Sequence, residues 1–224
     1  MPYSKLIFQS RRSPVFSVRG IVAASQPLAV QAGVSILEKG GNAADAAVAT
    51  AAALNVTEPG STGLGGDCFA LFYDGVTGRM SALNGSGRAP KALTLELLSS
   101  QGFGKELPKY HPHVVTVPGA CAGWFDLIER HGTLSMRETL APAIRLAEEG
   151  FPVAPITAHG WQGSIKKLMD SSPGGRELTV EGRAPHVGEV FRNPTLSRTL
   201  RLIAEQGRKA YYEGEIAERI IKTL

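Results

Sequence analysis

The 224-residue sequence has few of the features that identify the simplest protein classes. Its two cysteines, Cys68 and Cys121, both lie in apolar surroundings, which favours small buried residues over a disulfide framework. No apolar run approaches the ~18 residues of a membrane span. The net charge of +4 comes from scattered basic residues, so no nucleic-acid-binding patch is predicted.

Sequence motifs of common nucleotide, metal and nucleophile sites are also missing. Four glycines stand between Gly60 and Gly66, but Asp67 follows them where a phosphate-binding loop needs lysine and a hydroxyl residue. A dinucleotide site needs a strand before such a loop and a helix after it, and the predicted order here is the reverse. His111 and His113 have no cysteine or paired acid at ligand spacing, so we predict no metal and no cofactor. No serine, cysteine or threonine has an evident base beside it.

The feature that stands out is a predicted hairpin with glycine at both ends. Strand-like residues occupy positions 68–73 and 79–83, and a turn at Asp74-Gly75 joins them. Arg88 stands in the second glycine segment, directly before Ala89-Pro90. Because glycine lets a ligand approach the backbone and arginine pairs with carboxylates through two hydrogen bonds, the hairpin predicts a site for a small anion. A purely structural role for Arg88 remains the alternative. The glycines concerned are Gly60, Gly63, Gly65 and Gly66 before the hairpin and Gly85 and Gly87 after it.

Helix signals fill most of the remaining chain. Ser25 as a cap and Pro27 in the first turn predict a helix that ends at Gly40-Gly41. Asn42 and Asp45 resemble a capping box for a helix of small residues over 43–54, which we expect beneath the hairpin sheet. Further helices are predicted over 122–130, 134–150, 193–207 and from 214 onwards, and further strands over 20–24 and 114–117. This mixture predicts an α/β or α+β fold.

The first 19 residues differ in composition from the rest. They carry Lys5, Arg11, Arg12 and Arg19 and no acidic residue, which matches either an organellar transit peptide or an extended arm of the mature chain. Pro14 opposes a helix and favours the arm. We therefore divide the chain into an arm, 1–19, and one region, 20–224. No apolar core of a secretory signal is present, which favours a cytoplasmic location and leaves an organelle open.

The order of the motifs along the whole chain resembles one enzyme family, the γ-glutamyltransferases, also called γ-glutamyltranspeptidases or glutathione hydrolases. The similarity is to the N-terminal part of the large subunit. The segments that carry it are GIVAASQPLAVQAGVSILEKGGNAADAAVATAAALNVTEP at 20–59, GLGGDCFALFYD at 63–74, VTVPGACAGW at 115–124, LAPAIRLAEEGFPV at 140–153 and KAYYEGEIAERI at 209–220.

The resemblance implies a fold and a mechanism. Members fold as the αββα sandwich of N-terminal nucleophile hydrolases, which would be incomplete here, and they cut themselves into a large and a small subunit. The threonine that begins the small subunit attacks the γ-glutamyl amide, with its own amino group as base, and the acyl-enzyme passes the group to water or an amino acid. The signature around that threonine is absent from these residues. We therefore expect no catalytic residue in this chain, no activity from it alone, and two partners: a γ-glutamyl compound such as glutathione, and the small subunit or C-terminal part of the same polypeptide.

The resemblance also assigns the substrate-binding residues. The family's substrate arginine usually lies three residues before the alanine of an Ala-Pro pair, a position occupied here by Ser86. The arginine of this chain is Arg88, and an Asn-Gly-Ser-Gly-Arg-Ala-Pro form resembles another branch of the family. We expect Arg88 to bind the substrate α-carboxylate, with Ser86 as a second candidate. Two alternatives stay open: a non-catalytic paralogue that binds a γ-glutamyl compound or a partner chain, and an amide acylase with a different acyl group.

Overall fold

A computed structural model describes residues 13–171 and 173–224. Its helices are α1 (Pro27–Glu38), α2 (Ala43–Thr57), α3 (Leu95–Ser100), α4 (Ala120–His131), α5 (Met136–Glu149), α6 (Pro155–Ser171), α7 (Pro194–Gln206), α8 (Lys209–Tyr212) and α9 (Glu215–Thr223), with 3-10 turns at Pro112–Val114 and Pro173–Leu178. Two antiparallel pairs of strands are present: β1 (Cys68–Asp74) with β2 (Arg79–Gly85), and β3 (Phe151–Pro152) with β4 (Val190–Phe191). The predicted mixed class is confirmed, with helices dominant and only small sheets in the described part of the chain.

Most helix boundaries follow from capping residues near them in the sequence. The predicted capping box at Asn42 and Asp45 is present, and Asn193 caps α7. Gly150 and Gly207 follow the ends of α5 and α7 with positive φ angles, which glycine adopts without strain. The prediction that Ser25 caps α1 is wrong. Gln26 is the cap, since its side chain accepts a hydrogen bond from the N–H of Leu28, while the Ser25 hydroxyl donates to Glu58.

The core is built around α2, whose small side chains allow neighbouring helices to pack closely. Helix α2 lies against α1 and α5, and α5 packs on α7. Large side chains such as Phe151, Leu140 and Leu200 fill the space around these helices and are almost fully buried. The expected position of α2 beneath the hairpin is wrong, because the hairpin packs mainly on α4. The small side chains of α2 predicted close packing but did not identify the elements that pack on this helix.

Two short apolar stretches predicted as strands are not strands. Residues 20–24 and 114–117 have no regular strand structure. Strands exist only where a neighbouring strand pairs with them. At Val117 a single backbone bond, to the carbonyl of Arg88, takes the place of a ladder. An apolar run in the sequence does not show whether a neighbouring strand will pair with it.

The N-terminal arm is only partly described. Residues 1–12, which carry the predicted transit-peptide or arm character, lie outside the described residues. Residues 13–19 are exposed, and Phe16 and Val18 are among the most exposed apolar side chains. In the part of the chain that is described, no helix combines the length and the apolar character needed to cross a membrane.

The hairpin of β1 and β2 places the candidate site. One face packs on α4 through alternating residues that include Ala70, Phe72 and Leu83. The opposite face carries Phe69, Leu71, Tyr73 and Met80, each more than 60% exposed. Strand β2 then leads directly into the glycine segment with Arg88, so the candidate site lies at one end of this half-covered sheet.

Candidate functional site

Arg88 lies in an extended segment just after β2, and its backbone is fixed while its side chain is not. The carbonyl of Arg88 accepts a hydrogen bond from the N–H of Val117 at 2.9 Å. The guanidinium is exposed and makes no hydrogen bond or ion pair with any described residue. Nearby Ser86 is also exposed, and its N–H donates to the Asn84 side chain at 3.1 Å. The segment thus presents Arg88 on a held backbone with its five donors available.

The two glycine segments of the hairpin are joined through Asp67 and Gly66. One carboxylate oxygen of Asp67 accepts a hydrogen bond from the N–H of Gly87 at 2.7 Å. The carbonyl of Gly66 accepts from the N–H groups of Gly119 and Ala120, at 3.0 and 2.9 Å. The start of α4, the residue before β1 and the Arg88 segment therefore form one connected unit. Sequence reasoning used Asp67 only to dismiss a phosphate site and missed this role.

Two tyrosines of α8 form hydrogen bonds with backbone groups next to that unit. The buried Tyr211 donates its hydroxyl to the carbonyl of Leu64 at 3.0 Å. The hydroxyl of Tyr212 donates to the carbonyl of Pro118 at 2.7 Å and accepts from the N–H of Ala122 at 3.0 Å. Burial raises the pKa of both phenols, so they stay neutral donors. Their only signal in the sequence was their place within the family-like segment KAYYEGEIAERI.

The expectation that no hydroxyl or thiol stands beside a base is wrong at one place. Ser81 Oγ lies 2.8 Å from His131 Nε2, and the His131 ring stacks on Phe72 with centroids 4.2 Å apart. The space next to this pair amounts to only about 10 Å³, less than a substrate needs. The pair therefore acts as a packing contact between the hairpin and α4. Signals for it were absent because the two residues are 50 positions apart.

The other candidates for a nucleophile or a metal ligand are Cys121 and the two histidines His111 and His113. The Cys121 thiol is buried, and burial raises its pKa to about 12, so it is not a nucleophile at neutral pH. The imidazole of His111 accepts from the N–H of His113, whose own ring pairs with Gln101. Across residues 13–171 and 173–224, no three His, Cys, Asp or Glu side chains are grouped so that they could hold a metal ion.

Comparison with known proteins gives a consistent family. The family model described as gamma-glutamyltranspeptidase matches residues 29–224. The "Glutathione hydrolase-like YwrD proenzyme" of Bacillus subtilis is 38% identical over 211 residues, which are 94% of this chain and 40% of that protein. The chain thus spans about two fifths of the length of that curated relative.

Solved structures agree with the sequence match. The crystal structure of cephalosporin acylase from Bacillus halodurans has 44% sequence identity and a TM-score of 0.83, covering 97% of this chain and 43% of that one. The γ-glutamyltranspeptidase of Helicobacter pylori has 29% identity and a TM-score of 0.85, covering 94% of this chain and 61% of that one. Since the family model and these relatives cover nearly all of the described fold, the chain belongs to the γ-glutamyltranspeptidase family.

Proposed function

We propose that this chain supplies the substrate-binding part of an enzyme that hydrolyses or transfers γ-glutamyl amides through an acyl-enzyme. The observation that carries the proposal is the Arg88 guanidinium, which is exposed and unpaired among the described residues on a fixed backbone at the end of β2. A γ-glutamyl group carries an α-carboxylate, and a guanidinium binds a carboxylate through two parallel hydrogen bonds. Ser86, two residues earlier, provides a further hydroxyl near that carboxylate.

We place the nucleophile outside these 224 residues. Within the described part of the chain, the Ser81–His131 pair has no room for a substrate and Cys121 has a raised pKa. An N-terminal threonine needs no separate base, since its own amino group serves. The partner is therefore a threonine-bearing small subunit or the C-terminal part of the same polypeptide, and the exposed apolar face of the hairpin is where we expect it to pack.

Two candidate activities differ in the acyl group that the enzyme removes. The similarity to a cephalosporin acylase supports a second candidate, an acylase of the same fold that removes a different acyl group. Both candidates use the same nucleophile chemistry, and they differ in the substrate that the Arg88 segment accepts.

The test compares two proteins. The 224-residue chain is assayed alone and together with the threonine-bearing polypeptide, using γ-glutamyl-p-nitroanilide and a panel of amides with other acyl groups. We expect no turnover and poor solubility from the chain alone, because the apolar hairpin face is uncovered, and turnover of γ-glutamyl-p-nitroanilide by the assembled protein. A well-behaved monomer that hydrolyses the substrate by itself contradicts the placement of the nucleophile. Assembled protein without activity on any amide supports the non-catalytic paralogue instead.

A further inference from the structure

A cavity of about 510 Å³ lies between α6 and the loop that follows α2. Helix α6 lines it with Ile156, Trp161 and Leu168, and the loop lines it with Glu58. Arg88 is not among its lining residues in the described chain. Cavities of about 300–1,000 Å³ are typical sites for small molecules in proteins. This cavity is therefore large enough for a ligand, and the function proposed above does not account for it.

Gly160 leaves this cavity wider than the fold requires. It lies inside α6 and lines the cavity, and a β-carbon added to it would meet no described atom within 4 Å. Alanine would fit there and would stabilise the helix, because glycine is the less favourable of the two in a helix interior. Packing therefore gives no reason for glycine at this position, whereas a ligand in the cavity does.

The loop side of the cavity carries a negative charge that the chain does not balance. Glu58 is the C-terminal cap of α2, and its half-buried carboxylate accepts a hydrogen bond from the Ser25 hydroxyl at 2.9 Å. Among the described residues Glu58 takes part in no ion pair, and the last turn of α2 has no basic residue. The end of a helix where its carbonyls point outward is itself negative and favours a cation. Glu58 and the helix end thus attract positive charge to the same place.

Lys167 also lines the cavity, but its ammonium is engaged elsewhere. The Nζ atom lies over the ring of Tyr110, 4.3 Å from the centroid, and Tyr110 does not line the cavity. The rest of the lining consists of hydroxyl groups and apolar side chains. The indole N–H of Trp161 donates to the carbonyl of Leu178 at 2.8 Å, so this side chain offers the cavity only hydrocarbon and ring surface.

We propose that this cavity is a binding site for a small organic compound with a primary ammonium group and a hydrocarbon body. The ammonium pairs with Glu58 at the end of α2, and the body packs against Trp161 and Leu168. Such a compound complements the negative charge and removes apolar surface from water, whereas a compound with a carboxylate is repelled by Glu58. The site goes beyond the proposed hydrolysis or transfer of γ-glutamyl amides, because its ligand needs neither an amide nor a carboxylate.

The alternative is that Glu58 only ends α2 and holds Ser25. The two roles are separable, because glutamine keeps a side-chain oxygen that accepts the Ser25 hydroxyl and loses only the charge. Glu58→Gln therefore preserves the hydrogen bond and removes the attraction for an ammonium group.

The experiment titrates the assembled protein with two compounds of the same shape, 2-phenylethylamine and 2-phenylethanol, and measures binding by calorimetry. At pH 7 the amine is an ammonium, as lysine is. We expect the amine to bind with a Kd of about 1 mM or tighter and the alcohol to bind about fivefold more weakly. Glu58→Gln should bring the affinity for the amine down to that for the alcohol. The titrations contain no γ-glutamyl compound, so their result does not depend on the proposed function.

Two matched controls locate the site. Glu213→Gln should leave the affinity for the amine unchanged, since Glu213 is exposed, is the C-terminal cap of α8 and does not line the cavity. Gly160→Ala should weaken binding of both compounds by at least about threefold, because the methyl group enters the cavity. Gly163→Ala adds the same methyl group to α6 where it also meets no described atom, but outside the lining, and should have no effect on binding.

Three results overturn the inference. Absence of saturable binding of 2-phenylethylamine at about 10 mM means that the cavity does not bind this class of compound. Equal affinities for the amine and the alcohol in the wild-type protein mean that the charge of Glu58 does not select. Binding that Gly160→Ala and Gly163→Ala leave equally strong means that the amine binds at another place.

Discussion

The two glycine clusters that flank the hairpin look alike in sequence, but the fold surrounds them differently. In the second cluster the chain itself demands glycine. A β-carbon added at Gly85 would lie 2.7 Å from the carbonyl oxygen of Cys68, and one added at Gly87 would lie 2.5 Å from the carbonyl oxygen of Val117. At Gly119, which faces this cluster from the start of α4, an added β-carbon would overlap the carbonyl of Gly85. Backbone segments approach each other here more closely than any side chain permits.

The first cluster shows none of these constraints. An added β-carbon at Gly60, Gly63 or Gly65 would meet no described atom within 4 Å, and none of the three has a positive φ angle. The described fold does not require glycine at these positions, and we expect a substrate that approaches the loop from outside to be the reason for them. Composition alone therefore cannot distinguish a glycine that serves packing from one that leaves a surface open.

The largest effect that tests this comparison is expected at Gly119. In Gly119→Ala the new methyl group overlaps the Gly85 carbonyl, and backbone on both sides has little freedom to move. We expect a loss of about 3 kcal/mol in the free energy of unfolding, measured by urea denaturation of the assembled protein. A loss below 1 kcal/mol would show that the packed cluster tolerates side chains after all.

Arg88→Ala is expected to affect binding rather than stability. Losing two charge-assisted hydrogen bonds to a carboxylate costs on the order of 2–4 kcal/mol once the partner polypeptide covers the exposed Arg88 and excludes water, so KM of the assembled enzyme should rise by roughly one to three decades. Arg88→Lys should restore only part of the affinity, because an ammonium cannot form the paired geometry.

Thermal melting separates the two roles of Arg88. The exposed Arg79 at the other end of β2 offers a matched control, and Arg79→Ala should leave KM near the wild-type value. A sharp fall in Tm for Arg88→Ala with an unchanged KM in the surviving enzyme would make Arg88 structural. The substrate carboxylate would then be bound elsewhere.

A smaller effect is expected where α8 supports the first glycine cluster. Tyr211→Phe removes the hydrogen bond from the Tyr211 hydroxyl to the carbonyl of Leu64 and leaves that acceptor in a buried setting. We expect a loss of about 1–2 kcal/mol in stability. The control is Tyr110→Phe, since Tyr110 is 65% exposed in the loop before the 3-10 turn at Pro112–Val114, and its effect should stay within about 0.5 kcal/mol. Equal effects in both variants would argue against a supporting role for Tyr211.

The smallest effect on stability is expected at Gly63. The described fold leaves room for a methyl group there, so Gly63→Ala should change the free energy of unfolding by no more than about 0.5 kcal/mol. If the loop is open because a substrate approaches it, the same variant should still raise KM. Full stability with unchanged kinetics would remove the proposed reason for the open cluster.

Local features of this protein were determined by the sequence itself. The capping box of Asn42 and Asp45, the cap at Asn193 and the stop at Gly150 depend on hydrogen bonds between residues at most four positions apart. The alternation along β1 and β2 likewise decides which side chains share a face of the hairpin. Arg88 was recognisable because its neighbours in the sequence, glycine and an Ala-Pro pair, resemble the family's pattern.

Everything that connects distant segments was decided by the tertiary structure. The predicted strands at 20–24 and 114–117 failed because a strand requires a partner that no local pattern specifies. The Asp67–Gly87, Tyr211–Leu64 and Ser81–His131 contacts join residues 20, 147 and 50 positions apart. Their formation depends on how α4 and α8 pack against the hairpin, and packing energy is shared among many side chains rather than encoded at any one of them.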